Sequence, residues 1–202
     1  MITKEELAAR FVHACEDVRA AEDELTEIDS HFGDADHGLT MVKIANAIEG
    51  AVAESEGGIQ EMLDDAAMAV MVLNGGSAVP LWNTWLDALQ EEAPAGEEAD
   101  ASQLKAMFAH ALEELSDMSG AEVGDKTMMD AFIPACEAIA ACEGEEAALF
   151  DAAAQAAEAG AENTKNFASK FGRAKSYGDK TIGTPDAGAV SMARFFKGLA
   201  RA

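Results

Sequence analysis

Leu25-Thr26-Glu27-Ile28-Asp29-Ser30-His31-Phe32-Gly33-Asp34-Ala35-Asp36-His37-Gly38 is the stretch where a helical repeat stops and an acidic turn begins. Upstream of it, Leu7, Phe11, Cys15, Val18, Leu25 and Ile28 recur at helical intervals with charged residues between them. Thr3 and Glu6 have the spacing of a capping box, so this pattern predicts one helix that delivers Asp29 to the turn. Asp34 and Asp36 cannot share a helix face, because helical neighbours lie three or four residues apart. In a turn flanked by Gly33 and Gly38 both can point at one centre, with Asp29 as a third oxygen ligand from the helix below. Several carboxylates with no thiolate nearby suit Mg²⁺ better than zinc. Aspartates between glycines also make ordinary turns, so a metal reading needs support from elsewhere in the chain.

Beyond Gly38 the helical period resumes. Val42, Ala45, Ile48 and Val52 mark a second helix, and Ile59, Met62, Leu63, Ala66, Val70 and Leu73 a third. Trp82, Trp85, Leu86 and Leu89 follow Pro80, which a first helical turn tolerates. Glu91 to Asp100 reads as a polar loop, and Leu104, Phe108, Ala111, Leu112 and Leu115 as the next helix. Met128, Phe132, Cys136 and Ile139 mark another, with a kink expected at Pro134. An alanine-rich helix is expected from Ala147 to Phe171, and a last one from Ala189 to Leu199. No useful length alternates with period two. The chain therefore reads as all-α, a single domain over residues 1–202 without internal repeats, with antiparallel packing across short connections. Trp82 and Trp85 belong to the core on this reading. His13, His31 and His110 are packing or surface residues, and Asp125 and Lys126 cap or pair locally.

The 202 residues carry 14 lysines and arginines against 38 aspartates and glutamates, a formal charge of −24. So acidic a surface argues against nucleic acid and against an anionic membrane as partners. An anionic ligand would need metal ions or backbone N–H groups to offset the field. Cys15, Cys136 and Cys142 lie in helical segments and read as reduced core residues. With no signal-peptide pattern and no apolar run of membrane-spanning length, the cytoplasm is the expected location.

The remaining glycine turns carry the functional information. Gly75-Gly76-Ser77 offers N–H groups and a hydroxyl at a helix start, Gly124-Asp125-Lys126-Thr127 another helix start, Gly172-Arg173 a fixed positive charge, and Asp186-Ala187-Gly188 a further turn. Together with the acidic turn they suggest a nucleotide diphosphate site held partly through metal. A P-loop is excluded, because Gly120 and Gly124 enclose three residues and Asp125 precedes Lys126. An EF-hand from Asp34 is excluded too, because Gly38 and Ala45 stand where that loop needs another residue and a glutamate.

Taken in order, Leu25 to Gly38, Gly75 to Leu81, Gly124 to Met128, Gly172 to Ala174 and Ser176 to Ala189 resemble a known family. It is the ADP-binding L subunit of bacterial dihydroxyacetone kinase, also the C-terminal domain of the fused ATP-dependent kinases. The resemblance implies a barrel of roughly eight antiparallel helices with nucleotide and metal at one end. It implies that Asp29, Asp34 and Asp36 coordinate two Mg²⁺ ions. His37, Gly38, Leu39 and Thr40 would line the nucleotide site, Ser77 and Ala78 would approach the phosphates, and Gly120 and Met128 would flank the base and ribose. Arg173 would contact phosphate, and Asp186, Ala187 and Gly188 would close the site. Val79 stands where the family commonly has glycine and would narrow the phosphate approach; Ala187 stands where proline is usual. No residue of this chain is expected to act as a covalent nucleophile. The ketose would be held on a histidine of a separate K subunit, with ADP kept as a resident cofactor and recharged by a phosphocarrier M subunit. The length of the chain favours that arrangement over the variant in which ATP exchanges freely and the sugar is a tetrose or another short ketose. A non-catalytic regulator that binds metal or nucleotide is the remaining alternative.

Overall fold

The computed structural model describes residues 1–201, and among them nine α-helices carry most of the chain. They are α1 (Lys4–Ala20), α2 (Glu22–Ser30), α3 (His37–Glu54), α4 (Ile59–Met71), α5 (Ala78–Glu91), α6 (Ala101–Ser119), α7 (Met129–Ala141), α8 (Glu146–Asn163) and α9 (Ala187–Leu199). The protein is all-α, as its periodicity predicts. The capping box at the start of α1 forms: the Glu6 N–H donates to Thr3 Oγ1 at 3.2 Å, and the Thr3 N–H donates to Glu6 Oε2 at 2.9 Å.

Helices α3 to α9 pack each against the next, and α1 closes the ring by packing on both α9 and α3. Counting α2 as the broken end of α1, this is an eight-helix barrel. Its interior is solid. Phe11, Trp82, Trp85, Phe132, Phe195 and Phe196 are buried and touch in a chain of edge-on and tilted pairs, with centroids 5.1 to 6.1 Å apart. Such pairs add ~0.5–1.5 kcal/mol each beyond the area they bury.

The structure departs from the sequence pattern in four places. The first helix breaks at Ala21, whose N–H reaches the Val18 carbonyl at 3.1 Å. The new helix opens on Glu22, Asp23 and Glu24, which suit the positive end of a helix dipole. The alanine-rich helix ends at Asn163 rather than Phe171. There the Thr164 hydroxyl takes the Ala161 carbonyl (2.6 Å) and Lys126 Nζ takes the Thr164 carbonyl (2.7 Å), so a further turn has lost its acceptors. The polar segment before α6 contains β2 (Glu98–Ala99), which pairs antiparallel with β1 (Ile2–Thr3), Ile2 opposite Ala99. Two-residue strands are too short for alternation to show. Finally, Arg173–Thr181, read as loop, forms 3₁₀ turns bent at Gly178.

Helix α9 crosses α1 closely. A Cβ at Gly198 would lie 2.3 Å from Ala14 Cα and 2.5 Å from Ala14 N, both backbone atoms that cannot step aside. Gly198→Ala gains ~1 kcal/mol of helix propensity but overpacks the crossing at a cost of about 1–3 kcal/mol. We expect a net loss of stability, seen as a lower urea midpoint at unchanged slope; a midpoint at or above wild type would contradict this packing.

Candidate functional site

Four connections share one end of the ring, residues 31–36, 72–77, 120–128 and 164–186, and they enclose a cavity of about 630 Å³. Sites for small ligands run ~300–1,000 Å³, so the volume suits a nucleotide-sized molecule.

The acidic turn forms one wall. Asp29 stands in the last turn of α2, and Asp34 and Asp36 just beyond it, with one carboxylate oxygen of each within 4.8 Å of the others. Asp29 Oδ2 accepts from the N–H of Asp36 (3.1 Å) and of His37 (3.4 Å), folding the turn back onto its helix. Ala35, between the two exposed aspartates, has a left-handed φ of 61°. That costs a residue with a Cβ ~1–2 kcal/mol, and here it aims both neighbours at one centre. Gly33 is demanded by space: a Cβ there would sit 1.9 Å from Asp29 Oδ1. Burial first, then the neighbouring Asp34 carboxylate, pushes the Asp36 carboxyl above its ordinary range. Three carboxylates, with no sulfur or ring nitrogen in the cluster, make a donor set that fits Mg²⁺. Arg173 reaches across from the far wall to Asp34 at 2.5 Å.

The other expected residues divide cleanly. Thr40, Ser77, Ala78, Met128, Arg173, Asp186, Ala187 and Gly188 line the same cavity as the three aspartates and His37. Gly38 and Leu39 lie outside its wall, Gly38 buried against the Glu22 carbonyl and Thr26, Leu39 half exposed. Gly120 is also outside it: it terminates α6 with a left-handed φ of 61°, while Ser119 and Ala121 on either side face inward. Val79 does not narrow the cavity. It is buried beneath the 72–77 connection, its Cγ2 turned toward Gly75, and is not part of the wall. The His37 ring is kept below its ordinary pKa by burial, against the pull of Asp29, and its Nε2 lies 3.1 Å from Ser191 Oγ.

Two residues carry more of the site's framework than their sequence setting announces. Lys126, expected to pair locally, is buried and donates to the carbonyls of Thr164 (2.7 Å) and Thr184. Asp130 is buried as well and accepts from the N–H groups of Gly124 (2.6 Å) and Thr127 (2.8 Å), fixing the turn before α7. A lone lysine among turn residues of so acidic a chain is a signal for the first; the second shows only as a carboxylate three residues into a helix start. Asp125 accepts locally from the Glu122 N–H at 2.9 Å, but its ion pair is with Lys170, 45 residues on, at 2.6 Å. Phe32, Phe171 and Trp82 also face the cavity and were read only as pattern residues.

A family model described as DAK2 domain matches residues 31–201. Over 193 residues the chain is 37% identical to the D-erythrulose kinase of Mycolicibacterium smegmatis, covering 93% of this chain and 33% of that protein. It is 30% identical over 193 residues to DhaL, the ADP-binding subunit of the PEP-dependent dihydroxyacetone kinase of Escherichia coli, covering 93% and 92%. The dihydroxyacetone kinase of C. freundii, solved in complex with AMP-PNP and Mg²⁺, matches with a TM-score of 0.73 at 25% identity, over 96% of this chain and 33% of that one. The chain thus spans about a third of the length of the mycobacterial and C. freundii kinases and nearly all of the E. coli subunit.

Two outcomes follow from the geometry. Gly33→Ala displaces the Asp29 carboxylate, and Mn²⁺ affinity measured by electron paramagnetic resonance should fall at least about tenfold with helix content unchanged; unaltered affinity would remove Asp29 from the cluster. Asp186 is half-buried, and desolvation pushes its carboxyl up to about 7 from an ordinary value of 3.8. A folded-state pKa raised in this way means that the native chain holds a proton the unfolded chain has lost. The associated stability is complete at acid pH and drains away as pH rises from about 4 to about 7. The stability difference between wild type and Asp186→Asn should follow that limb and level off above it; a difference independent of pH would contradict it.

Proposed function

This chain belongs to the DAK2 domain family, and from that membership we propose that it is the phosphoryl-transfer subunit of a short-ketose kinase of the dihydroxyacetone kinase type. Residues 1–202 are taken as one such domain. It would hold ADP or ATP with two Mg²⁺ ions and pass the terminal phosphoryl group to a ketose bound on a K subunit, in the cytoplasm. The observation that carries the reading is the convergence of the Asp29, Asp34 and Asp36 carboxylates with Arg173 and two helix N-termini on one cavity.

Asp29, Asp34 and Asp36 would hold the cations, which supply charge neutralisation to the phosphate oxygens. The N-termini of α5, at Ser77 and Ala78, and of α9, at Asp186 to Gly188, bring backbone N–H groups to the cavity, where they favour anions. Arg173 is mostly exposed and sits on a segment flanked by left-handed glycines, so its guanidinium can leave Asp34 for the transferred group. The His37 ring, held neutral by its burial, orients and packs without adding charge. Phosphoryl transfer needs positioning and electrostatic stabilisation more than covalent help from protein, which is consistent with a site that has no nucleophile at its centre.

The donor has two readings. An M phosphocarrier recharging resident ADP is favoured by the likeness to DhaL along nearly its whole length, and free ATP with a tetrose by the higher identity to D-erythrulose kinase. Denaturing mass spectrometry of the purified protein separates them, through abundant co-purified ADP or its absence. The decisive assay reconstitutes the chain with a K subunit, Mg²⁺ and dihydroxyacetone or erythrulose, and follows the sugar phosphate by ³¹P NMR. Product should form with one of the donors, and Arg173→Ala should lower its rate about 10²–10³-fold. No product with either donor would leave the chain a metal- or nucleotide-binding regulator.

A further inference from the structure

Lys126 is 4% exposed, faces the cavity, and has no part in the roles just described. Its backbone is left-handed, φ 62°, a conformation that a residue with a side chain keeps only when its surroundings hold it there. What holds it is its own ammonium group. Nζ donates to the Thr164 carbonyl at the end of α8, at 2.7 Å, and to the Thr184 carbonyl in the turn before α9. Among the described residues it forms no ion pair. Asp130 spends its oxygens on the Gly124 and Thr127 N–H groups, and Asp186 Oδ2 accepts from the Ala189 N–H at 2.8 Å. Thr164 completes the knot, its Oγ1 accepting from the Asp186 N–H at 2.9 Å.

The loops tied together in this way carry two of the segments assigned to the nucleotide, and those segments touch. The position of a Cβ on Gly188 is 3.4 Å from both Cβ and N of Met128. We propose that Lys126 is a positioning residue for the nucleotide: its ammonium group clamps the end of α8 and the turn before α9 against the 120–128 connection, so that Met128 and Asp186 to Gly188 present one preformed wall. The inference rests on the nucleotide site proposed above. Its physical basis is that one cation satisfies two carbonyls from different segments at once. A side chain of equal length without donors leaves both carbonyls buried and unpaired, and the two segments separate.

The test compares Lys126→Met and Lys126→Arg by calorimetry with ADP and Mg²⁺, and by Mn²⁺ binding in the absence of nucleotide. Lys126→Met should weaken ADP binding by at least about tenfold, because small displacements of positioning groups are costly. Mn²⁺ binding at the acidic turn, to which Lys126 makes no hydrogen bond, should stay within about twofold, and Lys126→Arg, which keeps charge and donors, should recover most of the ADP affinity. ADP affinity in Lys126→Met within about twofold of wild type would overturn the proposal, as would an arginine variant as weak as the methionine one. If Lys126→Met does not fold, the Thr164 side chain offers no substitute, because Lys126 holds its backbone carbonyl. A better fallback than that side chain is Lys126→Gln, whose amide is one bond too short to hold both carbonyls, and ADP affinity in Lys126→Gln within about twofold of wild type overturns the proposal equally. Wild-type protein that binds no ADP with Mg²⁺ would instead defeat the functional reading itself, and this inference with it.

Discussion

A closed ring of helices that alternate in direction must place every second connection on the same end. That constraint organises the whole molecule. The connections after α2, α4, α6 and α8 meet around the cavity, and those after α3, α5 and α7 meet at the opposite end. The two ends are built differently. At the far end the chain is braced: β1 pairs with β2, Lys4 Nζ holds the Ser55 carbonyl at 2.8 Å, and Arg10 holds the Leu199 and Arg201 carbonyls at 2.7 and 3.1 Å. At the cavity end lie the left-handed residues found among those described: Ala35, Gly120, Gly124, Lys126, Gly172, Gly178 and Gly183. Regular geometry is kept where only stability is at stake, and unfavourable backbone is concentrated where side chains must be aimed.

Electrostatics sets the second condition. A chain of net charge −24 repels any polyanion that approaches it. Within the cavity the three clustered aspartates sharpen that repulsion, so an anionic ligand depends on divalent cations to reach them. Arg173 and Lys126 bring positive charge to the same space in two different ways. One is exposed and paired with a carboxylate, the other buried and paired only with carbonyls. The first is free to change partners; the second is part of the framework.

Much of this was legible in the residues. The helical period located eight helical segments, because each buries an apolar stripe in one continuous core, and missed that the first is two helices and that α8 ends early. The acidic turn and its glycines announced a cluster, because spacing of two between aspartates has no use on a helix. What was not legible depended on partners far away in sequence. The end of α8 is decided by Lys126, 38 residues earlier, and the break at Ala21 has no breaker residue to announce it. Val79 misled for a local reason: beside glycines it suggested a narrowed cavity, but side chains two apart at a helix start point in different directions, and this one points into the core.

The solid interior has an optical consequence. Trp82 belongs both to the buried ring chain and to the floor of the cavity, and Trp85, 5.4 Å away between centroids, lies wholly within the core. The two indoles are the only tryptophans in the chain. Intrinsic fluorescence therefore comes from a coupled pair, one member of which borders the cavity, giving the protein a reporter of its own loading without any attached dye.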